Sequence, residues 1–265
     1  MSSMQPYRVS AYNTAKDSEN KIHDDAVARR YGFRGGLVPG VEVMAYMMHV
    51  PIVRWGRTFL ERGRIEARFV KPVYDGETAD VIGDDDGREV ALRVESLGEI
   101  CATGHASLPD KTARVMLNDY PETAPVAERR PVEAGSFPQG LWLGTAPRAW
   151  NNKEFTQYLH EVRATDQIYR DAGVIHPGIF QRIMNQVLVQ NVVLGPWIHV
   201  GSTMQLLTTA HPHDELTARA RVTANYDKKG HRFAEFDALV VANDRTPVAH
   251  CHHVAIYLPR QQAVA

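Results

Sequence analysis

Asn13-Thr14-Ala15-Lys16-Asp17-Ser18-Glu19-Asn20-Lys21-Ile22-His23-Asp24-Asp25, followed by Gly35-Gly36-Leu37-Val38-Pro39-Gly40, decides how this chain reads. It is a polar loop, a short helix pattern and a Gly-Pro turn that opens a longer apolar helix. Asn20 is placed to cap the short helix, because its side-chain oxygen can accept a free N–H of the first turn. Asp24 and Asp25 fall in that first turn and Arg29 and Arg30 in the last, where the helix dipole favours each sign of charge. His23 lies beside the cap, and Gly32 is the expected stop. Gly40 begins the next helix, whose first N–H groups lack helical partners and suit an anion or a developing oxyanion. An imidazole and such a helix start, close in sequence, are two parts that acyl transfer or enoyl hydration requires.

Beyond Gly40, the residues Val41, Met44, Ala45 and Met48 recur at helical spacing and form one apolar face. Pro51 is expected to stop or kink this helix. The period then changes. Residues 64–73 alternate, with Ile65, Ala67 and Phe69 on one side, and runs at 78–82, 88–96 and 99–108 follow. The turn Asp84-Asp85-Asp86-Gly87 between such runs marks antiparallel hairpins. Residues 109–147 carry six prolines and little periodicity, so they read as a connection wrapped on the surface, with Leu141, Trp142 and Leu143 in need of burial. The same order of elements then returns. A helical pattern at 152–172 leads to Ile175-His176-Pro177-Gly178, which matches Leu37-Val38-Pro39-Gly40. A helix with Ile179, Ile183, Val187 and Leu188 on one side follows, then strand patterns at 197–210, 216–226, 232–242 and 247–258. One unit written twice is the sign of duplication. The expected division is 1–108, a connection at 109–147, and 148–265.

Composition bounds the function. At 44% hydrophobic and 23% charged residues the chain is an ordinary globular one, and a net charge of −1 gives no general pull toward nucleic acid or an anionic membrane. Cys101 and Cys251 sit in apolar strand patterns and read as packing. The polar N-terminus and the lack of an apolar run near ~20 residues make cytoplasmic location the default. His176, His211, His213, His250, His252 and His253 show no closed zinc spacing, so they are expected at surfaces or interfaces, with no metal. Alternation puts His250 and His252 on one face and His253 on the other.

A helix wrapped by an antiparallel sheet, done twice, is the α+β double hotdog arrangement, two sheets fused as a pseudo-dimer. The first half resembles the MaoC-like (R)-enoyl-CoA hydratase family. That family carries Asp-x-Asn-Pro-x-His, matched here by Ser18-Glu19-Asn20-Lys21-Ile22-His23. Its following helix and Gly-Phe turn are matched by Ala26, Gly32 and Phe33. Its helix-opening His-Gly is matched by Pro39-Gly40, and its strand end by Lys71-Pro72-Val73-Tyr74-Asp75-Gly76-Glu77. The resemblance covers 13–108 in motifs and 174–259 in architecture. It implies His23 as general base or acid, the Gly40 N–H as oxyanion donor, and no cofactor. The family's Asp falls at Ser18, which cannot relay a proton as a carboxylate does. Glu19 or Asp17 would have to substitute. Ser18 and Glu19 therefore join His23 and Gly40 as catalytic candidates, and Asn20, Asp17, Pro39 and Lys71 are candidates for substrate contact. Lys71 and Arg68 are also usual as exposed strand charges. The methionines at 44–48 are core filler or the floor of an acyl tunnel.

Three functions stay open: an acyl-thioester hydratase or dehydratase, a thioesterase in which Glu19 or Asp17 activates water, and a non-catalytic acyl-CoA-binding protein. The partner is an acyl-CoA or acyl-carrier thioester, and both a monomer and a homodimer of pseudo-dimers are compatible with a fused pair. Glu161 stands where His23 would recur, so one site per chain is expected, with the second half supplying walls.

Overall fold

Helices begin at Gly40 and at Gly178, on the two Pro-Gly pairs that the repeat brings into register. The computed structural model of the protein describes residues 2–111 and 114–260. The first half is β1 (Ser2–Ser3), β2 (Tyr7–Ser10), a 3-10 turn (Lys21–His23), α1 (Asp25–Arg30), α2 (Gly40–Trp55), α3 (Arg57–Arg62), β3 (Arg64–Phe69), β4 (Thr78–Asp85), β5 (Glu89–Ser96) and β6 (Glu99–Ser107). The connection adds β7 (Arg130–Pro131) and β8 (Trp142–Gly144). The second half is α4 (Asn152–Glu161), α5 (Ile168–Asp171), α6 (Gly178–Val189), β9 (Val192–Val193), β10 (Ile198–Leu206), β11 (Leu216–Lys228), β12 (His231–Ala242) and β13 (Thr246–Leu258).

The alternation in β4 and β5 is that of a sheet with one covered face: Ala79, Val81, Val90, Leu92 and Val94 are buried, and their neighbours are not. The two expected sheets run into one another. The order is β1-β4-β5-β6-β3-β10-β13-β12-β11-β8, with β2 also on β4, eleven strands in all. The halves meet where Arg64–Arg68 pairs antiparallel with Gly201–Gln205. Helix α2 is buried almost all round rather than on the single face its spacing suggested, because the sheet curls over it and α6 packs beside it. Pro51 does not end it. The helix runs four residues further, to Trp55, with Pro51 itself buried, so tertiary packing outweighs the missing backbone hydrogen bond. The second-half helix expected at 152–172 is broken, with α4 closing at Glu161 and α5 resuming at Ile168.

The connection does more than wrap. β8 pairs with β11, Leu143 is buried, and Phe137 is fully buried between Phe236 and Tyr257. Both cysteines are free and buried. No helix among the described residues is long and apolar enough to cross a membrane.

His176 and His253 are core residues, not surface ones, at 1% and 0% exposure. His250 and His252 share the other face, where His250 contacts Asp237 and Tyr120 and His252 contacts Glu235. Among the described residues no cluster of metal-binding side chains forms. Burial pushes His176 down to about 3, against an ordinary value of 6.5. His176 therefore takes a proton only on unfolding, and stability falls as pH drops from 6.5 toward 3. We expect denaturant melts at pH 5 to show roughly 2 kcal/mol less stability than at pH 7 from this residue alone. His176→Asn, which keeps an acceptor for the Gly178 N–H, should show a shallower fall.

Candidate active site

The motif loop is held from several sides. Asn20 caps the 3-10 turn through Ile22 N (3.3 Å), and Asp24, not Asn20, caps α1 through Val27 N (2.9 Å). Asp25 accepts from Gly36 N at 2.7 Å, so it ties the Gly-rich turn to α1 rather than acting only on the helix dipole. Asn13 donates to the His23 carbonyl at 2.9 Å. A Cβ on Gly36 would lie 2.1 Å from that same carbonyl oxygen, so only glycine lets the turn close on the loop.

The Asn20 amide uses its full capacity. Oδ1 accepts from Ile22 N and Trp197 N, and Nδ2 faces the Trp197 carbonyl at 3.0 Å and His23 Nε2 at 3.2 Å. Trp197 belongs to the second half, so this one side chain crosses the pseudo-dimer. His23 Nδ1 is 2.6 Å from the Leu37 carbonyl, which can only accept. Nδ1 therefore carries the hydrogen, and Nε2 presents a lone pair that the Asn20 amide occupies. Burial lowers the His23 pKa below its usual 6.5, opposed by the Leu37 carbonyl, which keeps the ring a neutral base.

Two chambers meet at this ring. The smaller, about 260 Å³ and mostly apolar, is lined by Leu37, Gly40, Val43, Phe69, Trp197 and His199, with Lys71 at its edge. The larger, about 790 Å³, is more polar than the first and takes in Ser18, Glu19, Glu42, Arg129, Arg182 and Gln186. Asn20, His23, Pro39, Asn185 and Trp197 line both. A groove of about 890 Å³ over the β3–β10 junction is bigger, but it contains neither a helix tip nor any motif-loop residue.

The two helix tips differ. In the second half the Gly178 N–H donates to His176 Nδ1 at 2.9 Å, and a Cβ on Gly178 would lie 2.1 Å from the Tyr158 hydroxyl. That tip is capped and filled. The Gly40 amide has no partner among the described residues and faces the smaller chamber. A Cβ there would press on His199 Nδ1 and Phe69 at 3.0 Å.

The structure thus gathers His23, Asn20, Pro39 and Gly40 around one point. Ser18 lines the larger chamber, with a long 3.4 Å hydrogen bond to the Asn20 carbonyl. Glu19 is turned away to Arg129 (2.8 and 3.2 Å), which lowers its pKa. Asp17 is exposed and lines neither chamber. Lys71 is exposed and paired with Glu99. Met44, Met47 and Met48 line neither chamber and are core. The sequence reading missed Glu42, His199 and Asn185. Glu42 is 2% exposed and bound by Arg182 (2.9 Å) and Thr14 (3.0 Å), with Oε2 unpartnered. Its signal was an acid among Val41, Val43 and Met44 just inside a buried helix tip.

No family model matches this sequence, and no curated protein matches it. Solved structures do share its fold. A protein described as a MaoC domain dehydratase from Chloroflexus aurantiacus is similar with a TM-score of 0.66 at 10% identity, over 96% of this chain and 93% of that one. A Mycobacterium tuberculosis protein with a double hotdog fold gives 0.65 at 13% identity, over 97% and 96%. A Lactobacillus plantarum protein described as an oleoyl thioesterase gives 0.55 at 6% identity, over 97% and 96%. The chain is a double hotdog protein. Its arrangement is that of the MaoC-like double hotdogs.

Two substitutions probe this geometry. Asn20→Ala removes the tie between the halves and should lower stability by about 2–3 kcal/mol, read by denaturant unfolding. Gly40→Ala puts a methyl group against His199 and Phe69, and should lower stability by about 1–3 kcal/mol in the same denaturant assay.

Proposed function

We propose that this protein is an acyl-thioester hydratase or dehydratase acting at the junction of the two chambers. The observation that carries this reading is the asymmetry of the helix tips: one is capped by His176 and filled by Tyr158, while the other is open, with a neutral His23 at its chamber. A thioester carbonyl oxygen on the Gly40 amide would place the enoyl carbons toward His23. A water that displaces the 3.2 Å Asn20 contact reaches the Nε2 lone pair. His23 takes one proton as the water oxygen bonds to C3, and the C2–C3 π electrons move onto the thioester oxygen. The enolate then returns, taking that proton from the imidazolium at C2. One base serves both steps, so a motif carboxylate at Ser18 is not required. Dehydration is the same path reversed. Ser18 and Pro39 shape the chambers, Asn20 aims His23, and Lys71 and the Arg129–Glu19 pair stand at edges where a phosphate-bearing carrier would pass.

A thioesterase uses the same oxygen site but sends water to the carbonyl carbon. Its carboxylate would be Glu42, whose Oε2 is unpartnered, since both oxygens of Glu19 are held by Arg129 and Asp17 lies outside. Crotonyl-CoA separates the two. Hydration is expected as loss of the conjugated-thioester absorbance without release of free thiol. His23→Ala should cut kcat by ~10²–10⁴, and wild-type turnover in that variant would sink the reading. The acid limb of kcat/KM should lie below pH 6.5, because burial lowers the pKa of His23 and the base form is lost only on further acidification. Titration with butyryl-CoA should give one ligand per chain, and two equivalent sites would contradict the asymmetry.

A further inference from the structure

His199 has no part in the motif or in the steps above. It stands on β10 three residues before Ser202, a spacing that in a regular strand puts two side chains on opposite faces. A register shift between His199 and Gly201 brings both to the buried face. The ring turns toward the α2 tip, with Nδ1 at 3.0 Å from where a Cβ on Gly40 would sit. That Nδ1 is buried and has no hydrogen-bond partner. On its other side, Nε2 is 2.8 Å from Ser202 Oγ, and Ser202 Oγ is 2.9 Å from His253 Nδ1. The His253 ring stacks on His199 with centroids 4.1 Å apart, and its Nε2 is also buried without a partner.

One hydroxyl hydrogen serves two ring nitrogens here, since an oxygen that accepted from both rings would leave its own buried hydrogen without an acceptor. Burial holds both rings neutral, and outweighs the Gly201 backbone, which acts the other way on His199, so each carries one hydrogen. If His199 donates from Nε2 to Ser202, then Ser202 donates to His253 Nδ1, and an N–H is stranded on His253 Nε2 inside the closed core. If His253 donates from Nδ1 instead, Ser202 donates to His199 Nε2. His253 is then left with only a bare lone pair, and the free N–H appears on His199 Nδ1, at the chamber. Either way one buried N–H lacks an acceptor within the protein, and only in the second arrangement does it stand at a chamber where a ligand's oxygen can accept it.

We propose that the His199 Nδ1–H is a second donor to the thioester oxygen, side by side with the Gly40 amide, making His199 a catalytic residue supplied by the second half. Ser202 and His253 are positioning residues that fix its tautomer. This rests on reading the α2 tip as the oxyanion site. It holds equally for attack at C3 or at the carbonyl carbon, since both load the same oxygen.

Asparagine places an amide near the position of Nδ1, whereas glutamine reaches the position of Nε2. His199→Gln is expected to lower kcat ~10²–10³-fold with little change in KM, and His199→Asn to stay within about tenfold of wild type. Equal, wild-type turnover in both would overturn the proposal. Nitrogen-15 NMR of histidine-labelled, ligand-free protein tests it without a variant's fold entering. The His199 signal, assigned by its loss in His199→Asn, should show hydrogen on Nδ1, and Ser202→Ala should shift it toward the other tautomer. A bare Nδ1 in the wild type would overturn the assignment. If the wild type turns over no acyl-CoA, the hydratase reading fails by itself. Saturating butyryl-CoA then decides the matter, since the His199 Nδ1–H resonance must move on binding, and an unmoved one rejects the donor role.

Discussion

A helix that begins inside a protein leaves amide hydrogens that water cannot reach, and something must answer them. This fold has two such beginnings, at Gly40 and Gly178. At Gly178 the protein answers them itself, through His176, and packs Tyr158 over the end. At Gly40 it does not, and the space beside the amide is a chamber. The two halves supply two helix ends in corresponding places. One was spent on stability and the other was left short of a partner, which is the condition for holding a ligand's oxygen.

Keeping that vacancy usable depends on the Asn20 amide. It fastens the motif loop to Trp197 of the other half and meets His23 with its remaining hydrogen. Since the Leu37 carbonyl fixes the other ring nitrogen, the imidazole has no rotational freedom to spare. The buried Glu42–Arg182 pair joins the two helices nearby, with Arg182 also reaching Glu161. The Asn20–Trp197 and Glu42–Arg182 ties are local in space, distant in sequence and cross the pseudo-dimer, while those of His23 to Asn20 and Leu37 stay within the first half.

That distribution explains what the residues revealed by themselves. The repeated Pro-Gly, the alternation in β4 and β5 and the place of His23 beside the Asn20 cap are short-range patterns, and all were legible. The turn of Glu19 toward Arg129 was not, because the partner lies 110 residues away. Nor was His199, whose direction is set by a bulge that breaks the alternation a reader relies on. Pro51 reads locally as a stop or kink, yet a helix enclosed on almost every side tolerates it. Glu42 was visible as an acid in an apolar run, but its partner Arg182 sits on the other half's helix.

The seam between β3 and β10 carries a last implication. Each half would present the edge of that strand bare if the two were drawn apart, with a row of unpaired amides and carbonyls ready to seize any similar edge. The fused chain is thus committed: neither copy can be shed or replaced by a foreign module without exposing an adhesive margin. The two copies were free to diverge in sequence, but not to part.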